Sequence, residues 1–497
     1  MVGIEIEDKF DVPPDYAIPD LSRVGQVVGP KSHTLVAIYY DTPDLRLAAH
    51  GITLRRRRGG DDAGWHLKLP RAKGARQEIG RPLTRSVRVV PDDLAELVRG
   101  YTRGAPLQAV AELETRRSVT VVRQGDRRLV EVADDRVKGT VFGEELRIVR
   151  WREVEAELLD GDAAVLAKVG KRLRKAGATP SGAASKLARL LDVPAPPAPP
   201  TEPGSAGEVV TGYLSDQVRA LIAQDPQVRL AEKDAVHQMR VASRRLRSAL
   251  KAFKKIVKNT SHVQDELKWL GSVLGEARDL EVIRGRFAEE LAELAPELVT
   301  GPVRHRLGDG LRAREAEAYG RIREALSGER YYRLLDALER LAAEPEQGKR
   351  AARPAGEELA AVAAANWERV IRKYDAAQAI DEPQRRETAM HEVRKAAKRA
   401  RYTAEAVRAV LGPGTPRLAK LAEGVQDALG AHQDAVVAQE TLAEETERAR
   451  EAGEDTFTYG LLIGMERTVA DRALADFPRT WARTATAAGK ALSKLNP

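Results

Sequence analysis

The sequence contains no cysteine. This absence excludes disulfides, thiolate nucleophiles, and zinc or iron–sulfur sites built on cysteine, and it fits a reducing compartment. Aromatic residues make up only 4% of the chain, so the base stacking on which many single-strand nucleic-acid proteins depend has few side chains to use. No apolar run is long enough to span a bilayer, and the N-terminus has no apolar signal core. We therefore expect a cytoplasmic protein.

Charge is what the chain has in abundance. Charged residues make up 31% of the 497 residues, and the net charge is +8. A basic balance of this size favours a polyanionic partner, which leaves nucleic acid, an anionic membrane surface and polyphosphate open. The hydrophobic content of 43% suffices for packed cores, and the length predicts two or three domains.

A proline-rich segment, DVPAPPAPPTEPGSAGE (Asp192–Glu208), divides the chain into two parts of different character. Proline with alanine, glycine and serine forms extended spacers that bury little surface. Before it, short β-rich runs such as HTLVAIYYDT and RRLVEVADD alternate with turn residues, which predicts an antiparallel barrel or sandwich. After it, long stretches rich in alanine, leucine, glutamate and arginine predict an all-α part. The fold class is therefore multidomain, β followed by α.

Charged residues alternate along several predicted strands of the first part. Because alternate residues of a strand share a face, each of these strands has a charged face. Acids lie in the first and last strands and bases mainly in the middle ones, namely Glu5, Glu7, Glu153, Glu155 and Glu157, and Arg55, Arg57 and Lys68. A single strand of this kind would ordinarily turn its charged face to water. A closed sheet with all of these faces inward would need a hard divalent ion between the carboxylates and phosphate against the bases.

These strands resemble the CYTH superfamily, the triphosphate tunnel metalloenzymes. EIEDK matches the ExExK signature, and the match continues in family order through YYDTPDLRLAAHGITLRRR, WHLKLP, VEVADDR, EVEAELLDGD and SKLARLL. The resemblance covers about Met1 to Leu191. It implies an eight-stranded antiparallel tunnel, with some helices, that hydrolyses or rearranges triphosphates with Mg²⁺ or Mn²⁺. No GxxxxGK[ST] sequence occurs, so P-loop hydrolysis is not expected.

The same resemblance assigns site residues by position. On the catalytic and metal side it implies Glu5, Glu7, Asp135, Glu153 and Glu155. As triphosphate ligands it implies Lys9, Arg55, Arg57, Lys68, Lys186 and either Arg116 or Arg117, of which we select Arg116. Glu131 and Glu157 share those faces and are secondary candidates. Asp135 is preferred to Asp134 because it is in phase with Glu131.

The helical part repeats itself. DAVHQMRVASRRLRSALKAF (Asp234–Phe253) is similar to TAMHEVRKAAKRARYTAEAV (Thr388–Val407), and LGEARDLEV (Leu274–Val282) is similar to LGAHQDAVV (Leu429–Val437). Two linked matches predict two related helical bundles, over about residues 209–345 and 355–497.

A basic stripe runs along one helix face in each repeat. His237, Arg240, Arg244, Arg247 and Lys251 follow the spacing of one face and border a mostly apolar stripe. A solvated face, a calmodulin-like helix and a nucleic-acid helix all fit a single copy. The repetition favours a shared groove in which two basic stripes converge on one elongated polyanion. The scarcity of aromatic residues disfavours nucleic acid.

This segment resembles the CHAD domain, the conserved-histidine α-helical domain, from about Glu208 to Pro497. The pattern H-x-x-R-x-x-x-[RK]-R-x-R stands at His237–Arg247 and again at His391–Arg401. CHAD domains are associated with inorganic polyphosphate, bound in a basic cavity between two bundles. The implied ligands are His237, Arg240, Arg244, Arg247, Lys251, His391, Arg394, Lys398 and Arg401. Glu405 stands where the first copy has Lys251, so the halves are not equivalent.

The predicted domain order is 1–191 CYTH, 192–208 linker and 209–497 CHAD, which resembles that of bacterial inorganic triphosphatases. It implies an enzyme that hydrolyses inorganic triphosphate to pyrophosphate and phosphate and also binds polyphosphate, in the cytoplasm and at polyphosphate granules. Two alternatives stay open. One is a non-catalytic protein that binds polyphosphate or its granules, and the other is a CYTH enzyme for thiamine triphosphate, a nucleoside triphosphate or cyclisation. No membrane partner is expected, and the sequence gives no oligomeric state.

Overall fold

The computed structural model describes residues 2–60, 62–71, 75–143, 145–183, 185–192 and 204–495. The chain divides into two compact units, Met1–Ala198 and Pro199–Pro497. Residues 193–203, which make up most of the segment predicted as a linker, lie outside the described residues. Within the described ranges, none of the helices combines the length and the apolar character that a membrane span requires.

The first unit is built on one antiparallel sheet. Its strands are β1 (Val2–Glu5), β2 (Glu7–Asp11), β3 (Gln26–Asp41), β4 (Thr53–Arg58), β5 (Gly64–Pro70), β6 (Arg76–Arg81), β7 (Gln108–Gln124), β8 (Arg127–Val141), β9 (Arg147–Leu158) and β10 (Thr179–Pro180). They follow the order β1-β6-β5-β4-β3-β7-β8-β9-β2-β10. Because β1 pairs with β6 and the next segment, β2, pairs with β9, the N-terminal strand closes the sheet on itself.

The predicted strand count of eight was wrong. In the described part of the chain the sheet has ten strand segments, or nine when β1 and β2 are counted as one strand interrupted at Ile6. The additional strand is β10, a two-residue segment that pairs with the end of β2. The motifs carried no sign of it, because two residues are too few for an alternating pattern.

The apolar core of this unit lies on the outer face of the sheet. The helices are α1 (Arg46–Ala49), α2 (Asp92–Leu97), α3 (Arg99–Thr102), α4 (Ala163–Lys175) and α5 (Lys186–Leu190). Phe10 of β2 and Val154 of β9 pack with Leu173 of α4 on this face. A second apolar cluster, in which Leu113 of β7 packs with Leu187 of α5, lies on the inner face. Since alternate residues of a strand face opposite sides, burial of Phe10 and Val154 beneath α4 turns the charged residues of β2 and β9 inward.

The second unit is helical, as predicted. Its α-helices are α6 (Ala206–Ala223), α7 (Asp225–Arg229), α8 (Ala235–Ala252), α9 (Ser261–Glu293), α10 (Val303–His305), α11 (Leu311–Leu326), α12 (Glu329–Ala343), α13 (Ala355–Gln378), α14 (Pro383–Ala406), α15 (Arg408–Leu411), α16 (Gly414–Glu451) and α17 (Phe457–Leu492). A 3₁₀ turn (Pro296–Leu298) and a π-helical turn (Arg306–Gly310) precede α11. The helix α8 packs on α9, α14 packs on α16, and α8 and α14 contact each other.

The apolar stripe of each repeat helix is buried. In α8, Val236, Met239, Leu246 and Leu250 are at most 2% exposed. Their spacing puts them on one side of the helix, so the basic residues one position later lie at the border of the core. The equivalent stripe of α14 begins at Met390 and belongs to the core shared with α13, α16 and α17. Packing of the two stripes therefore fixes where the two basic rows lie.

Candidate functional site

A cavity of about 570 Å³ lies inside the closed sheet. Most of the residues predicted for the tunnel site line it, namely Glu5, Glu7, Lys9, Arg55, Arg57, Lys68, Glu155 and Lys186, together with the secondary candidates Glu131 and Glu157. They come from β1, β2, β4, β5, β8, β9 and α5, so the sheet brings together residues far apart in the sequence. In this cavity, acids and bases face one another.

Lys186 ties three carboxylates together. Its Nζ atom lies 2.6 Å from Glu155 Oε1, 2.8 Å from Glu153 Oε1 and 3.0 Å from Asp135 Oδ2. Lys186 is the first residue of α5, whose N-cap, Ser185, accepts a hydrogen bond from a backbone N–H of the helix. Burial lowers the Lys186 pKa, but the attraction of the three carboxylates outweighs it and raises the pKa above its ordinary value. Asp135 and Glu153 are buried here and do not line the cavity.

Arg117 contributes to this cluster, and the selection of Arg116 was wrong. Arg117 donates to both carboxylate oxygens of Asp135, at 2.8 and 2.6 Å, and to Glu155 Oε2 at 2.7 Å. Arg117 lines the cavity, whereas its neighbour Arg116 is exposed and lies outside the lining. The pairing of β7 with β8 sets Arg117 opposite Asp135 and so decides the register that the sequence left open.

The choice of Asp135 over Asp134 agrees with the register of β8. Asp135 is fully buried among Arg117 and Lys186. Asp134 faces the other side, where it accepts two hydrogen bonds from Arg152 at 2.9 and 2.8 Å. Each aspartate thus has its own arginine partner, and the two pairs lie on opposite faces of the sheet.

Lys9 and Lys68 sit beside the acids of the N-terminal strand. Lys9 Nζ lies 3.1 Å from Glu7 Oε1 and 3.0 Å from Glu155 Oε1. Lys68 Nζ lies 2.5 Å from Glu5 Oε2. Although burial lowers the Lys9 pKa, Glu155 and Glu7 raise it above the ordinary value. Lys9 therefore stays cationic, and both amines point at groups that line the cavity.

Glu78 of β6 is a cavity residue that the sequence did not identify. It lies opposite Lys68 in the sheet, and its Oε1 atom accepts a hydrogen bond from His66 Nδ1 at 2.8 Å. Burial, followed by a hydrogen bond with Glu78, raises the pKa of Glu5 to about 7. Arg76 and Glu78 both line the cavity, and their alternation along β6 is the sequence signal by which Glu78 could have been found.

The arginines of β4 present unused donors. The Nε atoms of Arg55 and Arg57 are buried without a hydrogen-bond partner in the described part of the chain. Arg55 Nη1 donates weakly to Tyr39 OH at 3.5 Å, and Arg57 forms an ion pair with Asp62. Burial, followed by repulsion from Arg55 and Arg117, lowers the pKa of Arg57 to about 9. Buried guanidinium groups with free N–H donors are suited to phosphate oxygens.

The acids of the cavity suit a divalent metal. Carboxylate oxygens of Asp135, Glu153 and Glu155 lie within 4.8 Å of one another. Glu5 and Glu7 reach the cavity from the neighbouring strands β1 and β2. Oxygen-only donor sets of this kind match hard ions. The Lys186 ammonium that touches the first three acids shows that the cluster accommodates a cation.

In the helical unit the two basic rows converge where α8 and α14 meet. Lys398 of α14 lies near Arg394 of its own helix and near Arg240 and Arg244 of α8. Burial, followed by repulsion from these arginines, lowers the pKa of Lys398 to about 7. The buried Nε of Arg244 has no hydrogen-bond partner among the described residues. The junction therefore concentrates positive charge, of which Asp279 and Asp434 offset only a part.

Each repeat arginine lies against a glycine of the neighbouring helix. At Gly430 of α16 the approach is close, because a Cβ there would meet Arg394 at 3.2 Å, whereas a Cβ on Gly275 of α9 would make an ordinary contact with the Arg240 guanidinium at 3.7 Å. Arg240 Nη1 donates to Asp279 Oδ1 at 2.7 Å, one turn further along α9. The segments LGEARD of α9 and LGAHQD of α16, which form the second sequence match, therefore contact the arginines of the first match.

The other predicted groove residues occupy different surroundings. His237 and His391 are half-buried, and burial followed by nearby cations lowers both pKa values. Lys251 is exposed at the end of α8. Arg401 differs from the prediction of a free ligand, because it forms ion pairs with Glu405 at 3.0 Å and with Glu423 at 2.8 Å.

Comparison with known proteins finds both predicted families. The CYTH domain matches residues 3–191, and the CHAD domain matches residues 212–443. Two proteins of Mycobacterium tuberculosis, "Uncharacterized protein MT2285" from strain CDC 1551 / Oshkosh and "Uncharacterized protein Rv2226" from strain ATCC 25618 / H37Rv, are each 40% identical in an alignment 492 positions long that covers 94% of this chain and 94% of theirs.

Solved structures resemble the chain over part of its length. PptA from Streptomyces chartreusis has a TM-score of 0.47 and 22% identity, over 56% of this chain and 99% of its own. The CHAD domain from the plant Ricinus communis has a TM-score of 0.46 and 23% identity, over 57% of this chain and 92% of its own. From its two domain matches and its full-length relatives, the chain belongs to the family of proteins in which a CYTH domain is followed by a CHAD domain.

Proposed function

We propose that the tunnel hydrolyses inorganic triphosphate to pyrophosphate and phosphate with Mg²⁺ or Mn²⁺, and that the helical unit binds inorganic polyphosphate. One observation carries the first part: a single cavity holds hard carboxylate donors on one wall and buried arginines with unused N–H donors on another. A triphosphate with a bound divalent ion has the complementary pattern of charge. A protein with both activities would act in the cytoplasm and at polyphosphate granules.

The basic residues would bind and orient the substrate. Arg55 and Arg57 offer bidentate donors, and Lys9, Lys68 and Lys186 offer point charges around the same space. All five side chains are held by packing or ion pairs before substrate arrives, so little side-chain entropy is lost on binding. A linear chain of phosphates held at several points presents its terminal phosphorus in one orientation.

Hydrolysis requires water to attack the terminal phosphorus in line with the bridging oxygen, and the bond to that oxygen then breaks to release pyrophosphate. The arginines and lysines stabilise the negative charge on the phosphate oxygens in the transition state. A divalent metal held by Glu5, Glu7 and Glu155, with Asp135 and Glu153 nearby, would neutralise phosphate charge and lower the pKa of the attacking water. A carboxylate of Glu5 and Glu7, or of Glu153 and Glu155, accepts the proton of the water.

The lining favours inorganic over organic triphosphate. Among the described residues that line the cavity, the ring side chains are Tyr39 and His33. Tyr39 accepts a hydrogen bond from Arg55 and is 3% exposed, so its ring offers no stacking surface for a base or a thiazolium. The remaining lining residues are charged, small or aliphatic. An inorganic triphosphate pairs with the charged residues of the lining and has no organic group that would be left without a contact.

Tripolyphosphate is expected to be the preferred substrate of the full chain. We expect kcat/KM for tripolyphosphate with Mg²⁺ or Mn²⁺ to exceed that for ATP, thiamine triphosphate and long polyphosphate, with phosphate and pyrophosphate as products. Removal of divalent ions with a chelator should abolish turnover, because the phosphate charge is then not neutralised. Phosphate release and ion chromatography measure both results. Faster turnover of ATP or thiamine triphosphate would contradict the assignment, as would full activity in the chelator.

The helical unit would bind polyphosphate where α8 and α14 meet. Arg240, Arg244, Arg394 and Lys398 lie together there, and Asp434 of α16 is the acid that acts on Lys398. A phosphate chain can contact several of these cations at once, and each contact releases counterions. Clustering of like charge in a half-buried junction is costly without an anion. The bound chain therefore removes a repulsion that exists in the free protein.

Affinity for polyphosphate is expected to rise as the pH falls. In the free protein Lys398 has a pKa of about 7, and a bound polyanion would shift that pKa towards the ordinary value of about 10.4. Binding then takes up a proton between these two pH values, so the complex is stabilised as pH is lowered through them. Calorimetry in buffers of different ionisation enthalpy measures the uptake. His237 and His391 have lowered pKa values and titrate below this range.

The substitution Lys398→Arg separates proton uptake by Lys398 from the general attraction between positive charge and polyphosphate. Lys398→Arg keeps a fixed charge and should lose the proton uptake between pH values of about 7 and 10 while it retains binding. Lys395→Arg is the matched control, because Lys395 is exposed on the same helix and pairs with Glu392 at 2.8 Å. Equal proton uptake by wild type and Lys398→Arg would show that Lys398 is not at the binding site.

A further inference from the structure

The two helical repeats place opposite charges at equivalent positions. In register, Arg247 of α8 matches Arg401 of α14, and Lys251 matches Glu405. When the register of the second match is extended six residues towards the N-terminus, Lys268 of α9 stands where α16 has Glu423. Arg245 and Arg399 are likewise equivalent. Each end of the α8–α14 junction therefore receives three of these positions from one repeat and the fourth, Arg245 or Arg399, from the other repeat, and two of the four positions differ in sign between the ends.

At one end the four residues neutralise one another. Arg401 contacts Glu405 Oε1 at 3.0 Å and Glu423 Oε1 at 2.8 Å. Arg245 of the first repeat reaches across to Glu405 Oε2 at 3.0 Å. Tyr402 packs beneath both guanidinium groups, at 5.9 Å from that of Arg245 and 5.8 Å from that of Arg401. Two cations and two carboxylates close this end without net charge.

At the other end all four equivalent residues are cations: Arg247, Lys251, Lys268 and Arg399. Among the described residues, none of the four has an ion-pair partner within 4.0 Å. The Nε atom of Arg247 is buried and has no hydrogen-bond partner there either. The acids that influence these groups, Asp265 and Glu392, act on them only at longer range.

These cations are close enough to repel one another. Burial, followed by Arg247, Arg399 and Lys268, lowers the pKa of Lys251. The Lys251–Arg399 repulsion mirrors the Glu405–Arg245 attraction at the closed end. An isolated surface lysine would need no explanation. Four convergent cations with an unsatisfied buried donor are destabilising until an anion binds, whereas their four equivalents already contain their own counterions.

We propose that Arg247, Lys251, Lys268 and Arg399 form an anion site at one end of the α8–α14 junction only. This site binds the part of a phosphate chain that continues past Lys398. The inference rests on the proposed polyphosphate binding and adds a polarity to it. Arg240 and Lys251 are separated along α8 by about 16 Å, at 1.5 Å per residue. The phosphate chain therefore lies over the four cations at one end of the junction and ends at Glu405 and Glu423 at the other end. Lys268 and Arg399 become ligands, and Arg401 does not.

Salt-dependent binding of long polyphosphate tests this polarity. The probe is polyphosphate of long chain length, measured with the full chain in a chelator so that it is not hydrolysed. Lys251→Gln and Lys268→Gln should each weaken binding and reduce the salt slope by about 0.7 per cation removed. Glu423→Gln, at the position equivalent to Lys268, should tighten binding because it frees Arg401. Lys490→Gln, an exposed residue of α17, should change nothing.

The outcomes separate this inference from the proposed function. If wild type does not bind polyphosphate, the proposed function of the helical unit fails. If wild type binds and the Lys251→Gln/Lys268→Gln double variant has the same affinity and salt slope, the one-directional site is wrong and the proposed function stands. If the double variant loses affinity for duplex DNA but not for polyphosphate, the four cations serve a nucleic acid and the inference is overturned. Circular dichroism melting checks that the variants are folded.

Discussion

Glu7→Gln is expected to reduce tripolyphosphate hydrolysis by about 10²–10³-fold, comparable to the loss of one preorganised electrostatic group in other active sites. Glu7 lines the cavity, and its side chain is 13% exposed, so its charge faces the space that the substrate would occupy. The loss of one carboxylate also weakens a site built from several oxygen donors. We expect the Mn²⁺ affinity, measured by calorimetry, to fall together with kcat.

This substitution is informative because it should leave the fold intact. Glu7 contacts Lys9 at 3.1 Å, and Lys9 keeps a second partner, Glu155, at 3.0 Å. The control is Asp134→Asn, which removes a carboxylate from the opposite face of the same sheet. Turnover by Glu7→Gln at the wild-type level would refute the metal assignment. A tunnel that binds triphosphate but has no activity even in wild type would instead support the non-catalytic alternative.

Lys186→Met is expected to destabilise the tunnel unit by about 3–5 kcal/mol, the usual cost of removing one partner from a buried ion pair. Lys186 is 10% exposed and contacts Asp135, Glu153 and Glu155, which are 0–10% exposed. Methionine preserves most of the volume and removes the charge, so the carboxylates lose a common counterion. Urea unfolding at neutral pH measures the change in the free energy of unfolding.

The pH dependence of that loss identifies its cause. In wild type, burial raises the pKa of Glu155, but Lys186, Lys9 and Arg117 outweigh it and hold the pKa well below the ordinary value. Glu155 therefore stabilises the fold above its unfolded pKa and loses that contribution as pH falls. In Lys186→Met, Glu155 has lost the largest of these attractions and protonates more easily, so the difference from wild type should shrink as the pH falls towards the ordinary glutamate pKa of about 4.3. Lys168→Met, at an exposed position of α4, is the control. A pH-independent loss would indicate a packing defect instead.

Much of the tunnel could be predicted because alternation is a strong signal. Spacing alone predicts one face for Glu5, Glu7 and Lys9. Pairing of β2 with β9 places Glu7 opposite Glu157 and Lys9 opposite Glu155, while Glu5 of β1 lies opposite Arg76 of β6. Arg116 was selected wrongly because a run of two arginines fits either phase of a strand. Only the register with β8 resolves which one faces inward. Sequence patterns fix a period, but cross-strand register depends on distant residues.

The helical groove shows a different limit. The stripe in α8 and its repeat in α14 were readable from helical spacing, and their convergence followed from the repetition. The ion pairs of Arg401 could not be predicted from the sequence, because one of its two partners, Glu423, lies on another helix, α16. Lys268 and Arg399 were missed for the same reason. They belong to no stripe of their own, and only packing of α9 and α14 against α8 brings them to Lys251.

The interruption of the N-terminal strand at Ile6 has a consequence for how the protein folds. β1 pairs with β6 while β2 pairs with β9, so Glu5 and Glu7 stand on the two sides of the seam at which the sheet closes. The contact between Lys9 and Glu155 joins residues 146 positions apart. Contacts of such separation carry a large loop-closure entropy and form slowly. Closure of the sheet and completion of the carboxylate set are therefore one event, so a chain emerging from the ribosome lacks the complete set of carboxylates until β9 has been made.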